Sequence, residues 1–137
     1  MAVDPLSSRT LQALQRAMSG LSARQQVISN NVANVETPRY TALEVRFEDF
    51  LRSAMQPASG PLLLVSHTAH LQDVPPSVAS VRPQVLLSTA PARNDGNNVE
   101  LEREMSALAE TQISFQALGQ MLNSRLQIIR AALSEVR

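Results

Sequence analysis

Residues 101–136 read LEREMSALAETQISFQALGQMLNSRLQIIRAALSEV. Leu101, Met105, Leu108, Phe115, Leu122, Leu126, Ile129, Leu133 and Val136 recur at intervals of three and four, with Gln112 and Gly119 as interruptions. That stepping draws one narrow apolar seam along a helix, the pattern of helices that pack on other helices. A second seam stands near the other end of the chain, through Leu11, Leu14, Met18, Leu21, Gln25, Ile28 and Val32. Two terminal seams with a different kind of sequence between them predict a chain that runs out, turns and comes back. The last helix is expected to reach some forty residues, far beyond the roughly 11–12 of an average globular helix.

Composition sets limits on function. The 137 residues suffice for one domain with a modest core. Three Phe, one Tyr and no Trp suit long helices better than a sandwich or a ligand pocket. Twelve basic residues, all Arg, balance twelve acids, and this neutral balance argues against a nucleic-acid binder. The absence of Cys removes disulfides, thiolate metal sites and a cysteine nucleophile. The N-terminal residues lack the apolar stretch of a secretory signal, and no apolar run approaches the ~20 residues of a membrane span. By these ordinary signals the chain is soluble and cytosolic.

Along the chain, Asp4-Pro5 and Ser7-Ser8 offer caps for a first helix that continues through Gly20 to about Asn34. It stops at Asn34-Val35-Glu36-Thr37-Pro38-Arg39-Tyr40, because Pro38 excludes the helical conformation at Thr37 and Asn34 tolerates the left-handed one. Leu43, Val45 and Phe47 then alternate with charged residues as in a half-exposed strand. Phe47, Phe50, Leu51, Ala54 and Met55 follow at helical spacing, ended by the Pro57–Pro61 stretch. Leu62–Val65 and Val85–Leu87 are expected to pair as small strands. Asn97 and Glu100 have the spacing of a capping box at the start of the last helix. His67 and His70, with Asp73 nearby, have ligand-like spacing, but two imidazoles alone make a weak metal site and a surface or turn role is favoured. No phosphate loop or nucleophile elbow frames the Ser, His and Asp residues, so the sequence does not read as an enzyme.

The run Asn30-Asn31-Val32-Ala33-Asn34-Val35-Glu36-Thr37-Pro38-Arg39-Tyr40 resembles the signature of the flagellar rod and hook axial protein family, in which a first helix ends in an NNxAN..TPxY motif. Leu43–Phe47 and Gly96–Met105 look like the corresponding segments of the proximal rod members. The motif residues are Asn30, Asn31, Asn34, Thr37, Pro38 and Tyr40. Arg39 stands where the family usually has Gly, at a place where Gly permits a positive backbone angle that Arg adopts only at a cost, so the turn is expected to differ locally.

The resemblance implies a mainly α fold. Residues 1–38 and 95–137 would pair as a coiled-coil-like assembly domain, with residues 39–94 as a small, irregular β-containing insert. It implies a structural component of the proximal flagellar rod, exported by the flagellar type III apparatus without a cleaved signal and placed in the periplasmic space. Implied partners are further copies, other rod proteins, a FliE-type adaptor and the MS-ring base, with no nucleic acid, cofactor or small-molecule substrate. The assembly seam would comprise Leu11, Leu14, Met18, Leu21, Ile28 and Val32 with Leu101, Met105, Leu108, Phe115, Leu122, Leu126, Ile129 and Leu133. Leu108, Phe115, Leu122 and Ile129 are its expected sensitive points. A sibling rod protein is the nearest alternative. A soluble helical adaptor or export chaperone, or a helix lying on a membrane surface, are alternatives of other classes.

Overall fold

The computed structural model describes residues 8–56 and 77–134. Helix α1 (Ser8–Ala33) is followed by strand β1 (Leu43–Arg46), helix α2 (Glu48–Met55), a 3₁₀ turn (Val78–Ser80), strand β2 (Gln84–Leu87) and helix α3 (Leu101–Ser134). The chain is mainly helical, its two long helices pack on each other, and a two-stranded antiparallel sheet sits in the insert. At 1.5 Å per residue the 34 residues of α3 span roughly 50 Å. The first-helix caps at Asp4 and Ser7, the Leu62–Val65 segment, His67, His70, Asp73 and Val136 lie outside the described residues.

Helix α1 ends where Pro38 requires. Backbone bonds Asn34 N to Asn31 O (3.0 Å), Thr37 N to Asn34 O (3.0 Å) and Tyr40 N to Thr37 O (3.3 Å) form successive turns. Arg39 takes the left-handed conformation itself, with φ 61°, and its N–H reaches Asp95 O at 3.0 Å. The turn therefore has the backbone geometry that suits glycine, held by Arg against its preference.

In the sheet, Leu43 pairs with Leu87, Glu44 with Leu86, Val45 with Val85 and Arg46 with Gln84. The alternation read at 43–47 is thus a strand, and β1 is the described partner of β2. Helix α2 carries Glu48 and Asp49 at its positive end and Arg52 in its last turn. It buries Ala54 and half-buries Leu51 and Met55, while Phe50 stays exposed.

Two apolar clusters hold these pieces to α1. One joins Ala13 to Ala54, Val78 and Val81; the other joins Leu21 and Val27 to Val45 and Phe47. Gly20 is central to the second. A Cβ there would stand 2.5 Å from two carbons of the Phe47 ring, so the ring lies directly on the helix backbone. The guanidinium of Arg24 covers the same ring at 5.1 Å and bonds to Val45 O and Glu48. The sequence reading of Gly20 as a small helix cost omitted what its bare backbone admits.

Candidate functional site

Two features stand out: a polar knot where the ends of the chain meet, and an apolar row along the outside of α3.

The knot is built from asparagines. Asn31 is 1% exposed; its Oδ1 accepts from Leu43 N at 2.9 Å and from the Tyr40 hydroxyl at 3.3 Å, while its Nδ2 donates to Leu43 O at 2.8 Å. Its side chain also lies close enough to the Glu104 carboxylate of α3 to favour the charged form. Burial raises the pKa of Glu104 above the usual carboxylate range; the Asn31 bond and Arg103 oppose that shift, and Glu44 adds to it.

Asn97, with no exposed surface, closes the helix stop from the other side. Its Nδ2 donates to Asn34 O (2.9 Å), Val35 O (3.1 Å) and Thr37 O (2.8 Å), and its Oδ1 accepts from Val99 N at 2.7 Å. Carbonyls just past the helix end thereby gain a second donor beside the turn N–H groups of Thr37 and Tyr40 and the Arg93 guanidinium. Asn98 performs the matching task for the sheet: its Oδ1 accepts from Ala42 N (2.6 Å) and its Nδ2 donates to Ser88 O and Ala90 O.

The expected capping box is not formed. Asn97 N donates to Asp95 Oδ1, and Glu100 supplies only its carbonyl, to Glu104 N. The physical reason is that α3 begins at Leu101, so Asn97 lies ahead of its N-cap and its Oδ1 is taken by the N–H of Val99. Of the motif residues, Asn31, Asn34, Thr37 and Tyr40 bond within the chain, whereas the side chains of Asn30 and Pro38 are exposed. Sequence reasoning missed Asn97 and Asn98 as partners of the motif; the only available signal was their position beside the second long helix.

Helix α3 meets α1 along a line different from its strongest apolar seam. The row Leu108, Phe115, Leu122 and Ile129 borders the contact, with three of the four half-buried and Phe115 37% exposed. The companion row on the inner side is Glu104, Thr111, Leu118 and Arg125, of which Thr111 and Arg125 are buried. The apolar row expected beside it, Leu101, Met105, Leu126 and Leu133, faces outward at 47%, 51%, 39% and 71% exposure. Gln112 is exposed, and beyond its own turn of helix no described atom lies within 4 Å of where a Cβ on Gly119 would stand. In α1, Leu21 and Ile28 are buried, and Leu11, Leu14, Met18 and Val32 half-buried. An open groove of about 740 Å³ runs beside α3 between Leu21, Phe47, Leu51, Met55, Leu118 and Met121; a second of about 600 Å³ lies between Leu14 and Ile128. Among the described residues no helix is long and apolar enough to cross a membrane.

A sequence profile described as "Flagella basal body rod protein" matches residues 11–41, which are α1 and the asparagine motif that ends it. The chain is 33% identical to the flagellar basal body rod protein FlgB of Bacillus subtilis (strain 168), over 94% of this chain and 96% of the relative. The chain belongs to the FlgB family of flagellar basal body rod proteins. Other FlgB proteins that it resembles are those of Borreliella burgdorferi, 31% identical over 80% of this chain and 84% of the relative, and Salmonella typhimurium, 28% over 85% and 89%. The protein is therefore a structural component of the flagellar basal body rod, in a family of structural proteins rather than enzymes. It assembles with other basal body components. FlgB membership also gives the knot a meaning: the matched profile contains Asn31, Asn34 and Thr37, the residues onto which the C-terminal half of the chain is fastened.

Proposed function

We propose that the protein polymerises in the proximal rod through its two terminal helices, with the outward row of α3 as the exposed face, residues 1–38 and 95–137 forming the assembly domain and residues 39–94 the insert. The observation that carries this is the row Leu101, Met105, Leu126 and Leu133, apolar at coiled-coil spacing yet turned away from α1. One helix pairing with one helix covers a single narrow stripe, and the remainder of α3 offers its apolar surface to neighbours. Exposed apolar surface arranged along 50 Å of helix is the mark of an interaction face. The neighbours are further copies, other rod proteins, a FliE-type adaptor and the MS-ring base. The chain travels through the flagellar export apparatus with its ends unfolded and reaches the periplasmic space, where burial of the seams drives the helices to fold on assembly.

Met105→Asp and Leu126→Asp, restored to a strain lacking the gene, test this. Both positions are solvent-facing, so the purified variants should keep the circular dichroism of the parent chain. The strains should form no rods in isolated basal bodies and should not swim. Normal rods and swimming in both would overturn the proposal.

A further inference from the structure

The polar knot contains a chemically labile pair. Asp4, Asp49 and Asp73 precede Pro, Phe and Val, whereas Asp95 precedes Gly96. An aspartyl carboxyl can be attacked by the amide nitrogen of the next residue, and a side chain on that residue hinders the approach. Gly96 offers no such hindrance. The turn nevertheless needs glycine there: its φ is 81°, and a Cβ would lie 3.3 Å from Cγ and 3.4 Å from Cα of Arg39. The fold thus places a reactive peptide bond beside the two asparagines that join its halves.

In the closed knot the groups that would have to move are held. The Gly96 nitrogen donates its N–H to Arg93 O at 2.9 Å. Asp95 Oδ1 accepts from Asn97 N at 3.0 Å, and the Arg93 guanidinium lies 4.0 Å from the same oxygen. The main-chain carbonyl of Asp95 accepts from Arg39 N at 3.0 Å, and Asn97 O accepts from Arg93 N at 2.7 Å. Asn97 is in turn fixed by the carbonyls of Asn34, Val35 and Thr37. Turning the Asp95 carboxyl carbon onto the Gly96 nitrogen breaks several of these bonds at once. The Asp95 side chain is 45% exposed, so the restraint comes from hydrogen bonds and not from exclusion of water.

We propose that Asp95-Gly96 is a self-modification site, converted to isoaspartate when the two halves of the chain are apart and protected when the knot closes. The Gly96 nitrogen bonds to Cγ of the acid form of Asp95. The Cγ–OH bond breaks, and the hydroxyl and the amide proton leave as water. One water then adds back to the five-membered imide. Opening at Cγ restores aspartate. Opening at the main-chain carbonyl breaks the original Asp95–Gly96 bond and routes the backbone through Cβ and Cγ. The water released equals the water consumed, and no other reactant enters. The product has one more methylene in its main chain, and the carbonyl that accepted from Arg39 becomes a free carboxylate. Asn97 is displaced by about 1.5 Å, one carbon–carbon bond. That shift draws its amide away from the carbonyls it holds at 2.9, 3.1 and 2.8 Å, so a converted chain closes the knot poorly.

The purified chain, incubated at neutral pH in buffer and in urea, tests this, with isoaspartate counted by enzymatic methyl transfer and located by peptide mapping. Isoaspartate should build up at residue 95 in urea and at least about tenfold more slowly in buffer, where only locally opened chains react. Asn97→Ala keeps the reacting pair but loosens the knot, and should speed the reaction in buffer. Asp95→Glu, which would have to close a larger ring, should remove the signal in urea. Converted chains, separated and returned to buffer, should melt below unconverted ones. Equal rates in buffer and urea, or label that persists in Asp95→Glu, would overturn the proposal. So would converted chains that melt like the parent, or an Asn97→Ala chain that reacts no faster. Should Asn97→Ala unfold, the comparison of buffer with urea on the unaltered chain decides.

Discussion

Replacing Gly20 by Ala sets helix propensity against packing, and the two predict opposite signs. Ala is preferred over Gly in a helix interior by about 1 kcal/mol, so propensity alone predicts stabilisation. The structure predicts the reverse. The new Cβ would lie 2.5 Å from Cδ2 and Cγ of Phe47 and 2.7 Å from Cδ1, where carbon contacts settle near 3.5–4.0 Å. The ring would have to retreat by about 1 Å, yet it is 3% exposed and packed among Leu21, Val27 and Val45. Overpacking of this kind costs about 1–3 kcal/mol, and this contact belongs at the upper end. The net expectation is a loss of about 2 kcal/mol once the propensity gain of about 1 is subtracted. Urea unfolding of the purified monomer, with and without Phe47→Leu, measures it. In the Phe47→Leu background the cost of Gly20→Ala should shrink sharply or change sign, because the obstructing ring is gone. A Gly20→Ala chain as stable as its parent, or an equal cost in both backgrounds, would refute the reasoning.

Three further outcomes are expected. Asn97→Ala removes the side-chain bonds to the carbonyls of Asn34 and Thr37, which keep their turn N–H partners, and leaves the N–H of Val99 without its acceptor; three net hydrogen bonds at about 1 kcal/mol each make a loss of about 3 kcal/mol, read in the same urea titration. Arg39→Gly should raise stability by up to about 1 kcal/mol, since the left-handed backbone at φ 61° then carries no side-chain penalty, although the greater freedom of Gly in the unfolded chain offsets part. Because burial raises the Glu104 pKa in the folded chain, the folded state binds the proton more tightly than the unfolded one. Stability therefore falls as pH rises from the ordinary carboxylate range through the raised pKa, and is level above it. Glu104→Gln should flatten that segment of the pH–stability curve, measured by thermal melts from mildly acidic to neutral pH.

The broad architecture was legible because period and punctuation agreed. The stepping of Leu21 and Ile28, the stop at Pro38 and the alternation at 43–47 each correspond to a structural element. What the periodicity could not supply was which side of α3 faces α1. Glu104, Thr111 and Arg125 line the inner side, and polar residues leave no mark in a pattern sought through apolar ones. The pairing of β2 with β1 was not read from the sequence, because four-residue strands pair by tertiary position, with Asn31 and Asn98 fixing the ladder from outside it. The motif was read from its residues, but its partners were hidden by distance: Asn97 lies 60 residues from Thr37.

That distance has a consequence for the order in which the chain can acquire its structure. A helix stop usually draws its hydrogen bonds from its own neighbours, so it exists as soon as the segment has been made. Here the neighbours supply one set of bonds, Thr37 N to Asn34 O and Tyr40 N to Thr37 O, and a residue that follows both strands supplies the second. A chain made N-terminus first has α1 and its local turn long before that second set is in place. The locking of the turn to the C-terminal half and the outer support of the sheet then come together with two consecutive asparagines. The first half gains its last polar partners only when the second half is present.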